Sequence, residues 1–418
     1  MSVYTGVSPF ASPAGALDLV SFEEALKEHY KGDTVEDLVY KNRPLLALMP
    51  KYSKFGGRVM PIPVMNANPQ NRSATFTSAQ KTQASAPLAA KYQSAQIKSF
   101  LLQRSRDYSI ARIDGETMDA SKGDSNAFMA AATAEIDGAM SAISLSLAHA
   151  LYRDGSGVIC EVAANTANVI SLTAGTQEDI TGIEVGMALQ DETGAKEALV
   201  IAVNRSDGEF TVTPISGTIA TSDKLLVIGD KDLKVSGLES WVPATAPTAG
   251  DNHFGVDRSV DPSRLAGQRQ AFDTDIKTSL VKGATLCGRE GGRPDVAFMA
   301  FSDFAELELD LGAKVQYTDS SGVGGASPAR IGFKALEIHA PYGTIKCIPD
   351  ADCQPGVAWL LQMNTWSLNS LGECPRILSH DGNRLLRVTD ADAIEARIGY
   401  YAQVGCKAPG YNCRVALA

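Results

Sequence analysis

Phe55-Gly56-Gly57-Arg58-Val59-Met60-Pro61-Ile62-Pro63-Val64 reads as a β-strand entered through two glycines. A polar stretch follows from Asn66 to Gln96, and strand character returns from Ile97 to Ile113. Two strands with about thirty polar residues between them describe a long β-ribbon with an extended tip. A structureless loop of that length inside a compact domain would argue against the assignment. A ribbon that projects and lies on a neighbour meets no such objection.

The charge of this stretch is as telling as its pattern. Lys51–Arg112 holds ten Lys and Arg but one acid, Asp107, so it carries +9 in a chain of formal net charge −10, and the remainder carries −19. The stretch is rich in Ser, Gln, Thr and Ala and has little with which to build a core of its own. It reads as an arm that lies on something acidic, and the nearest abundant acidic surface is another copy of the same chain. Arg58, Arg72, Lys81, Lys91 and Lys98 are the candidate contacts between copies. Nucleic acid is the other acidic partner to weigh. The basic residues are spread thinly, aromatics are few, no nucleic-acid motif is present, and a pI near 5.1 argues against a dedicated binder.

The clearest helix follows the ribbon. Phe128, Ala132, Ile136, Met140, Ile143, Leu147 and Leu151 form one apolar face at the helical period. Asp124-Ser125-Asn126 offers a cap and Asp154-Gly155 a stop. About 29 residues would span roughly 43 Å. The other faces are Ala and Ser, which suits a helix packed closely on several sides, although a long core helix of any α/β protein would look similar. A charge at Leu147 should therefore prevent folding, and one at Ser146 should be milder.

Residues 155–237 change character. Glycines recur, with short β-rich runs between them at Val169–Leu172, Ala198–Val203, Phe210–Thr213 and Leu225–Ile228. Ser206-Asp207-Gly208-Glu209 is a hairpin turn. These are signs of a small all-β barrel or sandwich of net charge −7, inserted into a host domain. The host resumes at Gly237-Leu238-Glu239-Ser240-Trp241. A helix over residues 264–287 and another capped by Ser302 and running to Leu311 are expected, with strands thereafter, giving a mixed α+β chain. Upstream, residues 1–20 read as a mobile arm. Phe22–His29 and Thr34–Lys41 read as short helices, and Pro44–Pro50 as an apolar plug.

No active site emerges. The chain has no phosphate-binding loop and no nucleophile elbow, and Gly322-Val323-Gly324-Gly325 lacks the strand-to-helix setting of a dinucleotide fold. The seven cysteines (Cys160, Cys287, Cys347, Cys353, Cys374, Cys406, Cys413) include no C-x-x-C pair, and the five histidines are scattered. Reduced, buried thiols are expected, with a disulfide among the last five as the alternative. His149 has no acid three or four residues away and reads as a helix histidine. No catalytic, cofactor or metal residue is assigned. The N-terminal 26 residues show no signal pattern, and no stretch approaches the roughly 18 apolar residues of a membrane span. A soluble, non-exported protein is the expectation.

The order of parts resembles the major capsid proteins of tailed bacteriophages, which share the Hong Kong ninety-seven fold. Three strings carry the resemblance. Pro44-Leu45-Leu46-Ala47-Leu48-Met49-Pro50-Lys51 with Phe55-Gly56-Gly57-Arg58 looks like the entry to that family's E-loop. Ser144–Gly155 looks like the end of its spine helix, and Gly255-Val256-Asp257-Arg258-Ser259 through Gly267 like the return after an insertion. The resemblance implies an N-terminal arm with short helices over 1–50, an E-loop ribbon over 51–113 and a peripheral-domain spine helix over 114–155. An inserted all-β domain over 156–236 would follow, with the rest of the peripheral domain and the axial domain over 237–418. The spine-helix core would be Phe128, Ile136, Met140, Ile143, Leu147 and Leu151.

The resemblance also implies the function: an icosahedral shell of hexamers and pentamers, assembled in the host cytoplasm and found in the virion. Its partners would be other copies, a separate scaffold, a portal and decoration proteins, with packaged DNA touched non-specifically at most. An encapsulin-type compartment shell is the alternative of the same fold. An unrecognised α+β enzyme is the alternative of a different class.

Overall fold

The computed structural model describes residues 43–69, 72, 74–76, 95–116, 125–173, 177–311, 336–379, 385–389 and 391–417. The expected N-terminal arm, the helices at Phe22–His29 and Thr34–Lys41, the Gly322–Gly325 turn, Lys81 and Lys91 lie outside these residues. The chain is mixed α+β and divides into two compact units.

The first unit comprises Arg106–Leu147 and Leu371–Tyr401. Its sheet is built on residues 393–401 of the long strand Ala393–Cys406. Arg376–Ile377 and Leu385–Arg387 pair antiparallel with it, and Ser105–Asp114 is also its partner. Glu395, buried on this strand, takes Arg112 at 3.3 Å and Arg397 at 2.5 Å. Gly399 is required where strands crowd, since a Cβ there would sit 3.0 Å from the Asp107 carbonyl, Leu378 and Tyr108.

The long helix runs from Ser125 to Tyr152, 28 residues. Ala, Leu and Met favour it, and Gly155, with φ at +97°, turns the chain away after it. Ile143, Leu147 and Leu151 are buried, while Ile136 and Met140 are half-buried. Phe128 lies within the helix, but its side chain is outside the description. Ser146 has a partner of its own. Its hydroxyl donates to Asp107 Oδ2 at 2.6 Å, joining helix to strand within the unit.

The second unit comprises Arg43–Ser105, Ala148–Ser370 and Ala402–Ala418. A six-stranded sheet forms its centre, in the order Gln268–Gln270, Cys413–Ala416, Val357–Leu361, Val296–Met299, Gly343–Pro349, Leu336–Ala340. The helices Ile276–Arg289 and Phe301–Leu311 bury Leu280, Ala284, Phe304 and Leu307 with Leu360 and Val415 of the sheet. The helix expected over 264–287 is two elements. Pro262–Leu265 ends before Gly267, whose φ of +76° breaks the run. The second helix starts at Ile276, where the Asp275 side chain accepts from the Thr278 N–H. Phe301 rather than a capping Ser302 opens the next helix.

In chain order, the long helix is followed by a closed six-stranded barrel, in the order Lys224–Val227, Val158–Thr166, Val169–Leu172, Glu209–Ser216, Glu197–Asn204, Ala188–Asp191. Its core is Val162, Ile170, Leu189, Val200, Phe210, Val212 and Leu225. The chain enters and leaves it at one point. The Asp232 N–H donates to the Ser156 carbonyl at 3.0 Å, and that of Gly237 to the Arg153 carbonyl at 2.9 Å. Gly237 fits only because it lacks a Cβ, which would meet the Leu151 carbonyl oxygen at 2.2 Å.

Leu147→Asp should cost on the order of 4 kcal/mol or more and leave little folded protein. Ser146→Asp sets a carboxylate against Asp107 and should cost about 1–3 kcal/mol, more than Ser146→Ala at about 1 kcal/mol. Urea unfolding of the three variants should give that order.

Candidate assembly surfaces

The ribbon pairs Val59–Ala67 with Gln96–Gln103, antiparallel. The return strand expected over Ile97–Ile113 is split at Arg104. Residues Gln96–Gln103 serve the ribbon, and Ser105–Asp114 serves another sheet. Arg104 makes the break. Its guanidinium lies 4.8 Å from the centre of the Phe55 ring and donates to the carbonyls of Phe55 and Gly57, the latter at 2.7 Å. It thereby holds the root of the ribbon at the two glycines that open it.

Alternation gives the ribbon two different faces. Ile62 opposite Phe100 and Met60 opposite Leu102 share the inner face, where Ile62, Phe100 and Leu102 are buried. Phe100 packs edge-on to Trp241, with ring centres 4.9 Å apart, and Trp241 packs in turn on His253 and Trp366. The N–H of Leu101 donates to the Phe254 carbonyl at 2.9 Å, so the ribbon is also tied by its edge. The outer face carries Pro61, Pro63, Met65, Ile97 and Leu101. Met65 is 56% exposed, Ile97 65% and Leu101 45%. An apolar face left bare on a two-stranded ribbon is the mark of a surface that something else covers.

The candidate basic contacts divide around this face. Arg58 and Arg72 are exposed at either side of the strand Val59–Ala67. Lys98 stands opposite Val64, on the inner face, half-buried. Its charge helps hold the Asp257 carboxyl below its ordinary range, after the hydroxyl and N–H of Ser259. Lys98 thus stands on the opposite face of the ribbon from Met65, Ile97 and Leu101. Its position in the alternation, two residues from Phe100, is the signal that separates it from the others.

A buried polar cluster gathers at the end of the long helix, and the sequence did not announce it. The Tyr152 hydroxyl donates to Asp350 Oδ2 at 2.7 Å, and the same carboxylate accepts from the Leu45 N–H at 3.3 Å. Asp352 lies 3.4 Å from His149 Nε2 and 3.8 Å from Arg43. Arg153 reaches Asp179 of the barrel at 2.7 Å, and the Thr181 hydroxyl donates to the Ala351 carbonyl at 3.3 Å. His149 finds its acid 203 positions away, beyond the reach of any local spacing rule. Asp350, Asp352, Tyr152 and Arg43 are all buried, and their partners come from the helix Pro44–Leu48, the long helix, the barrel and the 350–353 turn, which they hold together. Among the described residues no group of three or more His, Cys, Asp or Glu is placed to hold a metal ion, and no helix is long and apolar enough to cross a membrane. Cys160, Cys287, Cys347, Cys353, Cys406 and Cys413 are buried thiols, and Cys374 is half-buried.

No protein-family model and no curated protein matches the chain. A search of solved structures does match. One chain of the cyanophage A-1(L) capsid asymmetric unit aligns over 94% of this chain and 98% of its own, at 12% identity and a TM-score of 0.52. The fold is a phage capsid fold. The capsid of a native GTA particle aligns at 8% identity and TM-score 0.47 over 93% of this chain and 95% of its own. The SrpI encapsulin from Synechococcus elongatus PCC 7942 aligns at 8% and 0.45 over 96% of each. The assignment of the capsid fold rests on the cyanophage chain.

The cluster makes stability depend on pH. Burial, then the charge of Asp350, pushes the Asp352 carboxyl up to about 7 against the pull of Arg43. Burial, then Arg153 and Arg43, pushes His149 down to about 3. A raised carboxyl binds its proton more tightly in the folded state. Its contribution is full below the unfolded value near 3.9 and is lost as pH rises through about 7. The depressed His149 acts oppositely, contributing above about 6.5 and failing as pH falls toward 3. Asp352→Asn removes the first effect alone. Between pH 6.5 and 8 the native chain should lose roughly 1 kcal/mol relative to that variant, measured by urea unfolding across the range. Parallel pH profiles would show that Asp352 does not hold a proton near neutrality.

Proposed function

We propose that the chain is the major capsid subunit of a tailed phage or prophage, closing into hexamers and pentamers of an icosahedral shell around the genome. The observation that carries this reading is the basic ribbon with a bare apolar outer face, on a chain with a capsid fold. In that reading the ribbon is the E-loop and Ser125–Tyr152 the spine helix. The sheet on Ala393–Cys406 belongs to the peripheral domain, the six-stranded sheet with its two helices is the axial domain, and the barrel is the inserted domain.

Shell building suits the energetics. One exposed ion pair contributes on the order of 0–1 kcal/mol, but every subunit repeats the set, and closure makes each contact after the first intramolecular. No substrate, cofactor or metal enters the account. A separate scaffold, a portal and decoration proteins are the partners such a subunit would need. Packaged DNA would be met non-specifically, and the particle would form in the host cytoplasm. An encapsulin-type compartment is the second reading. The inserted barrel speaks against that minimal design.

Electron microscopy of the expressed chain should show capsomers or shells. A single 44.2 kDa species at every salt and concentration would overturn the reading. Particles holding a cargo enzyme rather than DNA would favour the compartment. Lys81→Glu with Lys91→Glu should sharply reduce assembly while leaving the circular dichroism of the subunit unchanged, and added salt should weaken native assembly in the same direction. Normal shells from the double variant would remove the electrostatic role of these two lysines.

A further inference from the structure

The barrel carries a second bare apolar strip. Its hairpin Glu197–Asn204 with Glu209–Ser216 turns Ala198, Val200, Phe210 and Val212 into the barrel core. Alternation sends Leu199, Ile201, Thr213 and Ile215 outward, where Leu199 is 37%, Ile201 51% and Ile215 58% exposed. Glu197 and Glu209 stand on the same strands, and no described basic residue forms an ion pair with either. The strip is apolar along its middle and acidic at its ends.

The ribbon has the converse composition: Pro61, Pro63, Met65, Ile97 and Leu101 on its outer face, with Arg58 and Arg72 beyond the ends of its first strand. The segment Lys51–Arg112 carries +9, residues 156–236 carry −7, and the other 275 residues share −12. Acidity per residue is therefore about twice as dense on the barrel as on the remainder of the chain. Both hairpins have strands of eight or nine residues, roughly 26–30 Å long. The two strips are bare within one chain, so a ribbon does not cover its own barrel.

We propose that the outer face of the ribbon docks on the Glu197–Ser216 hairpin of the barrel of a second copy. Barrel against barrel would oppose two modules of net charge −7, and ribbon against ribbon two segments of net charge +9. Only the mixed pairing matches apolar strip to apolar strip and basic to acidic ends. Such a contact joins two different patches, which makes it heterologous and able to close a ring. It rests on the reading of the chain as a shell subunit and names the surface that receives the ribbon.

The test uses the full chain with a photoreactive benzoylphenylalanine in place of Ile201. Particles are assembled from equal parts of unlabelled and nitrogen-15-labelled subunits, irradiated and digested. Cross-links from position 201 should fall within residues 59–103, and half of the cross-linked pairs should mix the two isotopes. Cross-links that fall elsewhere, never mix isotopes or do not form would overturn the docking while the shell reading stands. Failure of the native chain to assemble would overturn both. Glu197→Lys with Glu209→Lys should lower the assembled fraction about tenfold. Adding Arg58→Glu and Arg72→Glu should restore it. A quadruple variant that assembles no better than the barrel double variant would also overturn the docking.

Discussion

The carboxylate of Asp350 is the point on which the second unit turns. It is buried, and burial alone would force it to take up a proton or find donors. The Tyr152 hydroxyl and the Leu45 N–H supply two, and the N–H of Asp352 supplies a third at 3.1 Å to its other oxygen. Three stretches far apart in sequence are fixed by one side chain: the helix after Arg43, the last turn of the long helix and the turn that follows Gly343–Pro349. Burial still outweighs these donors and raises the carboxyl above its ordinary range. The neighbouring Asp352 adds a second acid to the same dry space, with Arg43 and His149 beside it. Such a junction gains specificity of arrangement more than stability, because a misplaced helix end would strand charges with no water to receive them.

Periodicity made part of this structure readable. The step of three and four along Ile136, Met140, Ile143, Leu147 and Leu151 marks a helix, and Ile143, Leu147 and Leu151 are its buried members. Four of the barrel's six strands stand out as β-rich runs between glycines. The strands Val158–Thr166 and Ala188–Asp191 do not, because Ala, Asn, Glu and Gln dilute their pattern. The edge strand Gln268–Gln270 is hidden in a run that looks helical from Arg264 onward. Only the Gly267 dihedral and the Asp275 cap divide it, and backbone conformation is not written in hydropathy. The Arg104 break was equally silent, since an arginine in a strand-like run is ordinary until its guanidinium is seen on Phe55.

The surfaces were legible as charge but not as geometry. Counting Lys and Arg located the ribbon and its sign, yet could not tell Lys98, turned toward Asp257, from the outward Arg58. The apolar outer face was less visible still. Met65, Ile97 and Leu101 look like core residues in a sequence, and only the pairing of Ile62 with Phe100 shows which side is filled. The polar cluster lay out of reach for a different reason. Its members come from positions 43, 149, 152, 179, 350 and 352, and nothing local links them.

The single crossing point of the barrel bears on how such a chain can change over time. Ser156 and Asp232 are joined by a hydrogen bond, as are Arg153 and Gly237, so the loop between them could lengthen, shorten or be exchanged without altering the path of the host on either side. The constraint is concentrated in a few atoms, chiefly the absent side chain of Gly237. Beyond that gate, Asp179 and Thr181 still tie one side of the barrel to Arg153 and the Ala351 carbonyl, and the Glu197–Ser216 hairpin is the side offered to a second copy. Lineages that keep the gate and those two contacts are free to rewrite the rest of the barrel exterior as their surroundings demand, and divergence should accumulate there sooner than in the sheet that carries Trp359 and Leu360.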